Sequence, residues 1–248
     1  MLILPVYYIT YVFKMAGYSG DSNLIASSIQ YIINVVMTIP ALIWIDRWGR
    51  RPTLLIGAVF MLTWMYANAG IMASYGEVVP GGIDNTPQES MSLSGAPAHG
   101  LIACTYLFVA SYAITWGPVS WVYPPELYPL RVRGKAVSLA TSGNWAFNTA
   151  LGLFTPVAFA NIRWQTYIIF GVFCTAMLIH VFFLFPETAG KTLEEIDCIF
   201  TDPEGVPYIG TPAWKTKKHT KAIIALERGD VEASEKAHVE HASESATK

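Results

Sequence analysis

Long stretches without a single charged residue dominate the chain. No Asp, Glu, Lys or Arg occurs in five stretches, namely residues 22–45, 52–76, 90–125, 136–162 and 164–186. Roughly 20 apolar residues in a helix cross the hydrocarbon core of a bilayer. The apolar run at the start of the sequence is interrupted only by Lys14 and makes a further candidate. The pattern therefore predicts six membrane-spanning helices, near 2–19, 24–45, 53–75, 99–122, 136–159 and 164–185.

Composition favours the same class of protein. Hydrophobic residues make up 53% of the 248 residues and charged residues only 14%, whereas about 25% charged residues are usual in soluble domains. The alternative is a soluble protein with buried core helices, but soluble helices need a polar face and these runs have none. We predict an all-α membrane protein. The three cysteines suggest neither a disulfide framework nor a metal site.

The distribution of Lys and Arg predicts the orientation of the helices. Segments 46–52 and 123–135 carry three basic residues each, and the tail beyond residue 214 opens with a basic run. The segment 76–98 has no Lys or Arg. By the positive-inside rule the basic segments face the cytoplasm, which places both chain ends there. Segment 76–98 is rich in Gly, Pro and Ser and predicts an irregular loop, and residues 201–248 predict a largely disordered cytoplasmic tail.

Two clusters on the predicted cytoplasmic face combine an acid with arginines. "DRWGRRP" contains Asp46, Arg50 and Arg51, and Glu126 lies at the end of a predicted helix shortly before Arg133. A carboxylate in one cluster can be held by the planar guanidinium group of the other. The alternative is a plain topological signal without a network. The motif "PETAGKTLEEID" follows the last span, where Thr192 and Glu195 have capping-box spacing and predict a short helix near 192–199.

Polar residues recur at helical spacing in two of the predicted spans. Asn34 lies in such a stripe in the second helix, and Trp145 and Asn148 lie in one in the fifth. Amide side chains donate and accept hydrogen bonds and aromatic rings offer flat apolar faces, so together they suit a sugar. The alternative is contact between helices, because lipid cannot satisfy polar groups.

Four motifs together resemble one protein family. "DRWGRRP", "WGPVSWVYPPELYPLRVRGKA", "GNWAFN" and "PETAGKTLEEID" occur in the order typical of the C-terminal six-helix half of sugar porters of the major facilitator superfamily, most like fungal hexose transporters. The similarity covers residues 1–200. The resemblance implies two inverted three-helix repeats, which form half of the superfamily fold.

The resemblance also implies roles for individual residues. The matching sugar-binding positions are Tyr7, Tyr8, Asn34, Trp121, Trp145 and Asn148. The matching positions of a cytoplasmic gate are Asp46, Arg50, Arg51, Glu126 and Arg133.

The implied function is hexose transport by alternating access, which needs no cofactor and makes or breaks no covalent bond. An N-terminal six-helix half would supply the other wall of the site. The resemblance points to the plasma membrane and leaves proton coupling open. The alternative is a truncated, non-transporting sensor, regulator or assembly partner. No motif of an enzyme is found, and no partner such as nucleic acid is expected.

Overall fold

The computed structural model describes residues 9–18, 20–83, 86–87, 89–191 and 196, apart from the side chain of Asp46. The predicted tail and nearly all of the predicted helix near 192–199 lie outside this part. The described elements follow in the order α1 (Ile9–Met15), α2 (Asp21–Trp48), α3 (Arg50–Tyr75), β1 (Glu77–Val78), β2 (Met91–Ser92), α4 (Ala96–Ile114), α5 (Trp116–Leu127), α6 (Arg133–Ile162) and α7 (Gln165–Leu184).

Helix α3 lies at the centre of the bundle and packs against α4 and α7. Its buried face carries Met61, Met65 and Met72, each about 1% exposed, at the spacing of successive helical turns. These side chains join Phe108 of α4 and Phe170 of α7 in the largest apolar cluster. Unbranched methionines fill irregular gaps between helices, so one methionine-rich face holds three helices together.

Four helices in the described part are long and apolar enough to cross a membrane: Asp21–Ile45, Arg50–Tyr75, Ala96–Leu127 and Gln165–Leu184. Helix α6 has 30 residues but is not among them, because its polar stripe lowers its apolar content. The first predicted span is described only from residue 9 onward. Six spans are therefore not established by the described residues, although four of the predicted spans overlap the apolar helices.

The predicted span near 99–122 overlaps the apolar stretch Ala96–Leu127, which consists of two consecutive helices. Helix α4 ends at Ile114, and α5 begins at Trp116 after Thr115, whose backbone departs from helical geometry with φ −116° and ψ −78°. Pro118 explains the position of this break, because a proline ring clashes with the carbonyl group four residues earlier, here that of Ile114. The indole of Trp116 donates to the carbonyl oxygen of Leu54 at 2.9 Å, which fixes the break against α3.

The segment between α3 and α4 contains a short hairpin within the irregular loop that its composition predicts. Strands β1 and β2 pair antiparallel, with Glu77 opposite Ser92 and Val78 opposite Met91. Backbone hydrogen bonds continue beyond the strands, from the amide of Val79 to the carbonyl oxygen of Ser90 at 3.0 Å. We call the described residues of this segment, which are 76–83, 86–87 and 89–95, the strap. It follows the C-terminal end of α3, whereas the charged residues at the start of α3 lie at the other end of that helix.

Helices α2 and α6 leave much of their surface uncovered. The exposed apolar side chains of α2 include Val35, at 65%, and Ile43, at 63%. In α6 the buried residues are Thr155, Ala158 and Phe159, all close to its end. Both helices are thus anchored over only part of their length within the described structure.

Candidate functional site

An ion pair joins the start of α3 to the end of α5. Arg50 Nη2 lies 2.9 Å from Glu126 Oε1, and Arg50 Nε lies 3.3 Å from both carboxylate oxygens. The hydroxyl group of Thr188 donates to Glu126 Oε2 at 2.7 Å. The side chains of Arg50 and Glu126 are only 11% and 25% exposed, so solvent screens this pair less than a surface pair. The carboxylate of Glu126 is therefore bound by both Arg50 and Thr188.

Glu187 caps the N-terminus of α3. Its carboxylate accepts hydrogen bonds from the backbone amides of Arg50 at 2.9 Å and Arg51 at 3.1 Å, two donors that have no partner within the helix. Negative charge is also favoured there by the helix dipole. Gly49 precedes the helix with φ 84°, and a Cβ at that position would lie 2.7 Å from Glu187 Oε2. The backbone conformation favours glycine, and a Cβ there would push the carboxylate of Glu187 aside.

Arg51 and Tyr123 extend these contacts to the end of α7. Arg51 Nη2 donates to the carbonyl oxygen of Phe182 at 2.8 Å, and its guanidinium carbon lies 5.5 Å from the centre of the Phe182 ring. The hydroxyl group of Tyr123 donates to the carbonyl oxygen of Pro186 at 2.7 Å. Three segments that are distant in the sequence are thereby joined. We call the cluster of Arg50, Arg51, Glu126, Glu187 and Thr188 the charge network.

Two of the residues predicted for a gate are not placed in the charge network. Arg133 Nε donates to the carbonyl oxygen of Tyr128 at 3.1 Å, and among the described residues Arg133 makes no ion pair with Glu126. The side chain of Asp46 lies outside the described part. The structure thus brings together Arg50, Arg51 and Glu126.

A cleft of about 190 Å³ lies between α5 and α6. Trp121 forms part of its wall and is 61% exposed. The other lining residues combine polar groups with apolar ones: Tyr112, Ser120, Pro124, Pro125, Val137, Ala140, Thr141 and Asn144. A cavity of this kind, with an exposed indole and hydroxyl and amide groups, offers the apolar face and hydrogen-bonding groups that bind small polar molecules.

The other residues predicted to bind sugar do not line this cleft. Asn34 lies half-buried on α2, Trp145 is 55% exposed on α6, and Asn148 is half-buried on the same helix. Tyr7 and Tyr8 lie outside the described residues. Of the sugar-binding positions predicted from the sequence, the described structure therefore places Trp121 in the cleft.

The sequence does not assign roles to some residues of these sites. Glu187 lies within the quoted motif "PETAG" and caps a helix 136 residues earlier in the chain, a contact that no local pattern can show. Asn144 belongs to the polar stripe of α6, and its spacing alone favours contact between helices. In the structure Asn144 lines the cleft instead.

The carboxylates of the charge network are paired with protein groups. Glu126 and Glu187 accept hydrogen bonds from guanidinium, hydroxyl and amide donors. Among the described residues, no group of three or more His, Cys, Asp and Glu side chains is arranged to hold a metal ion. Such surroundings favour structural pairing of these carboxylates.

Known proteins similar to this chain are carriers. A family model described as "Sugar (and other) transporter" matches residues 4–200. A high-affinity glucose transporter of Kluyveromyces lactis is 51% identical over 86% of this chain and 38% of its own length. High-affinity glucose transporter 1 of Candida albicans is 46% identical over 95% of this chain and 42% of its own length.

Solved structures agree with these sequence matches. The proton:xylose symporter XylE of the major facilitator superfamily, solved with 6-bromo-6-deoxy-D-glucose, matches 79% of this chain and 38% of its own, with a TM-score of 0.64 and 29% identity. The chain thus spans 38% to 42% of the length of these relatives. With a family model that matches most of its length, this chain belongs to the sugar transporter family, whose members are membrane transporters and not enzymes.

Proposed function

We propose that this chain is the C-terminal six-helix half of a hexose carrier and works by alternating access together with an N-terminal half. The observation that carries the proposal is the 51% identity over 86% of the chain to a protein named as a high-affinity glucose transporter. The motif order supports the assignment to the C-terminal half. The exposed faces of α2 and α6 support the need for further protein, because polar groups there need a partner or an aqueous cavity.

In this proposal the chain supplies one wall of the sugar site, made of aromatic and amide groups. Trp121 stacks on the C–H face of the hexose, and Asn148 and Asn34 bond its hydroxyl groups. Trp145, Tyr7 and Tyr8 complete the set. The cleft beside Trp121 supports this arrangement and adds Asn144 as a further amide.

The charge network acts as the gate in this proposal. Arg50, Arg51 and Glu126 hold the ends of α3, α5 and α7 together in one conformation, and Asp46 and Arg133 join them there. Parting this partly buried pair has an energetic cost unless water or other groups compensate the two charges. The network can therefore favour one state of the carrier and release in another.

The arginine-rich end of the bundle faces the cytoplasm in this proposal, with both chain ends on that side and the strap outside the cell. The positive-inside rule supports this orientation, since the strap has no Lys or Arg. The relatives are named as high-affinity glucose transporters, which favours the plasma membrane as the site of sugar uptake.

Sugar uptake tests the proposal. The full chain is expressed in cells that lack hexose carriers, alone and together with the part of the Kluyveromyces lactis transporter that it does not match. We expect uptake of D-glucose but not L-glucose in the combined cells. Trp121→Ala should lower uptake about tenfold, as expected for loss of roughly 1.5 kcal/mol of aromatic contact.

Trp48→Ala is the matched control, because Trp48 is also exposed, at 51%, on α2, and is no proposed ligand. Equal uptake in the Trp121→Ala and Trp48→Ala variants would overturn the site assignment. Binding of D-glucose without uptake in any combination would favour the second candidate, a sensor or regulator that does not transport.

A further inference from the structure

A buried carboxylate in the strap is paired with the first helix. Lys14 Nζ of α1 lies 3.1 Å from Glu89 Oε1 and 3.4 Å from Glu89 Oε2. The side chain of Glu89 is 1% exposed, and that of Lys14 is 33% exposed. A buried carboxylate without a counter-charge is strongly unfavourable. Loss of Lys14 from this position would therefore leave the carboxylate of Glu89 buried and uncompensated.

Backbone and apolar contacts join the same two segments. The amide of Leu93 donates to the carbonyl oxygen of Met15 at 2.7 Å. Met91 and Leu93 are each 2% exposed and belong to the same apolar cluster as Met15. The strap thus holds the end of α1 through a charge pair, a backbone hydrogen bond and buried side chains.

A further contact joins the strap to α6. The hydroxyl group of Ser90 donates to the carbonyl oxygen of Phe159 at 3.0 Å. Phe159 is one of the few buried residues of α6. Glu89 and Ser90 are adjacent, so two neighbouring residues of the strap contact two helices that are far apart in the sequence.

We propose that the strap is a latch that holds α1 to the end of α6, and that the pair of Lys14 and Glu89 is its lock. The part of this inference that links the latch to transport rests on the proposed function. If α1 moves during transport, Glu89 must either travel with Lys14 or leave its buried position for water. In the second case the strap opens to solvent while α1 moves, and it closes on the bundle again when Lys14 returns.

A cysteine introduced at position 90 reports whether the strap is closed. Ser90 is 7% exposed, and Ser90→Cys replaces one oxygen atom by sulfur. The full chain is purified in detergent and treated with a maleimide reagent, and modification at residue 90 is measured by peptide mass spectrometry. This measurement separates residue 90 from the native cysteines.

In this background we expect Lys14→Gln to raise the labelling rate at residue 90 by roughly tenfold or more, since it leaves the buried carboxylate of Glu89 without a counter-charge. Glu89→Gln should raise the rate less, because the ion pair is lost but no charge stays buried. The double variant Lys14→Glu with Glu89→Lys should return most of the protection. Glu77→Gln is the matched control, because Glu77 is an exposed acid of the same strap, and its rate should not change. Equal rates for Lys14→Gln and Glu77→Gln would overturn the latch.

Hydrogen exchange separates an open strap from general loss of folding. Exchange in Lys14→Gln should quicken in the strap and not in α3. Equal acceleration in both would overturn the latch and make the pair a general stabilising contact. If Lys14→Gln does not fold, Glu89→Asp decides, because it keeps the charge and shortens its reach, and it should give an intermediate labelling rate.

Labelling in the presence of sugar tests the latch and the proposed function separately. D-glucose should change the labelling rate at residue 90 in the Ser90→Cys chain produced together with the unmatched part of the Kluyveromyces lactis transporter, and L-glucose should not. If the charge variants behave as expected and D-glucose has no effect, the latch stands and its link to hexose transport falls. If D-glucose acts and the charge variants match the control, the latch falls and sugar binding stands.

Discussion

Two of the glycines that precede helices, Gly49 and Gly20, differ in what surrounds them. Gly49 precedes α3 with φ 84° and ψ 157°, and Gly20 precedes α2 with φ 57° and ψ −135°. Both conformations are strained for a residue with a Cβ, at a cost on the order of 1–3 kcal/mol. At Gly49 the new carbon would also meet the carboxylate of Glu187, whereas at Gly20 no atom lies within 4 Å. Comparing the two positions isolates the contact with Glu187.

We therefore expect Gly49→Ala to destabilise the protein more than Gly20→Ala, by about 1 kcal/mol or more, since Glu187 must shift and weaken the cap. The measurement is the midpoint of thermal unfolding of the full chain in detergent. Equal shifts of the two midpoints would show that the carboxylate moves aside freely and that the cap contributes little.

The pair of Arg50 and Glu126 can be measured by a double-mutant cycle. Arg50→Gln and Glu126→Gln each leave one partly buried charge without its partner, so the two together should cost less than the sum of the single variants. We expect a coupling of about 1–3 kcal/mol in the free energy of unfolding.

Arg50→Gln combined with Glu77→Gln serves as the reference for this cycle. Glu77 follows the far end of α3 from Arg50, so the two effects should add within about 0.5 kcal/mol. Additive effects for Arg50 and Glu126 as well would contradict an energetic role for their ion pair.

At the scale of helices, glycines decide how closely two elements approach. A Cβ at Gly57 of α3 would collide with Oγ1 of Thr115, at the break between α4 and α5, whereas a Cβ at Gly70 of the same helix would meet no atom within 4 Å. We expect Gly57→Ala to destabilise by about 1–3 kcal/mol through overpacking. Gly70→Ala should be neutral or stabilise by up to about 1 kcal/mol, because alanine favours a helix.

Gly57→Ala and Gly70→Ala are compared because their expected effects on stability differ in direction. The measurement is again the midpoint of thermal unfolding in detergent. A destabilising Gly70→Ala would mean that its surroundings are more crowded than the structure shows. An unchanged midpoint in Gly57→Ala would mean that the break at Thr115 can move away from α3.

The helices could be predicted from the sequence better than the connections between them. Charge-free runs indicate the apolar helices, because a bilayer demands them wherever they occur. Pro118 lies inside one such run, so the run predicts a single span although the first helix ends at Ile114. The strap could not be predicted because Gly, Pro and Ser are common to irregular loops and to hairpins, and its position depends on the buried side chains of Met91 and Glu89.

Long-range contacts of the candidate site could be predicted least. The recurrence of polar residues indicates a stripe on α6, but spacing does not say which member faces a cavity, and Asn144 rather than Asn148 lines the cleft beside Trp121. Glu187 meets Arg50 and Arg51 only when the end of α7 returns to the start of α3. Such contacts depend on how helices pack, which the pattern of a single helix does not determine.

At the scale of the whole molecule, two aromatic residues of α6 test where the rest of a carrier would lie. Trp145 and Phe147 are 55% and 74% exposed, and a spacing of two residues places them on roughly opposite sides of the helix. Trp145 shares its side with the polar stripe, which needs protein or water, whereas Phe147 suits lipid.

A photoreactive benzoyl-phenylalanine is therefore placed at either position in the full chain, which is expressed together with the unmatched part of the Kluyveromyces lactis transporter. We expect a cross-link of the combined mass from position 145 and none from position 147, because both residues are aromatic and differ mainly in the side of α6 that they occupy. Cross-links from both positions, or from position 147 alone, would place the second half against a different face and would remove the support that α6 gives to a two-half carrier.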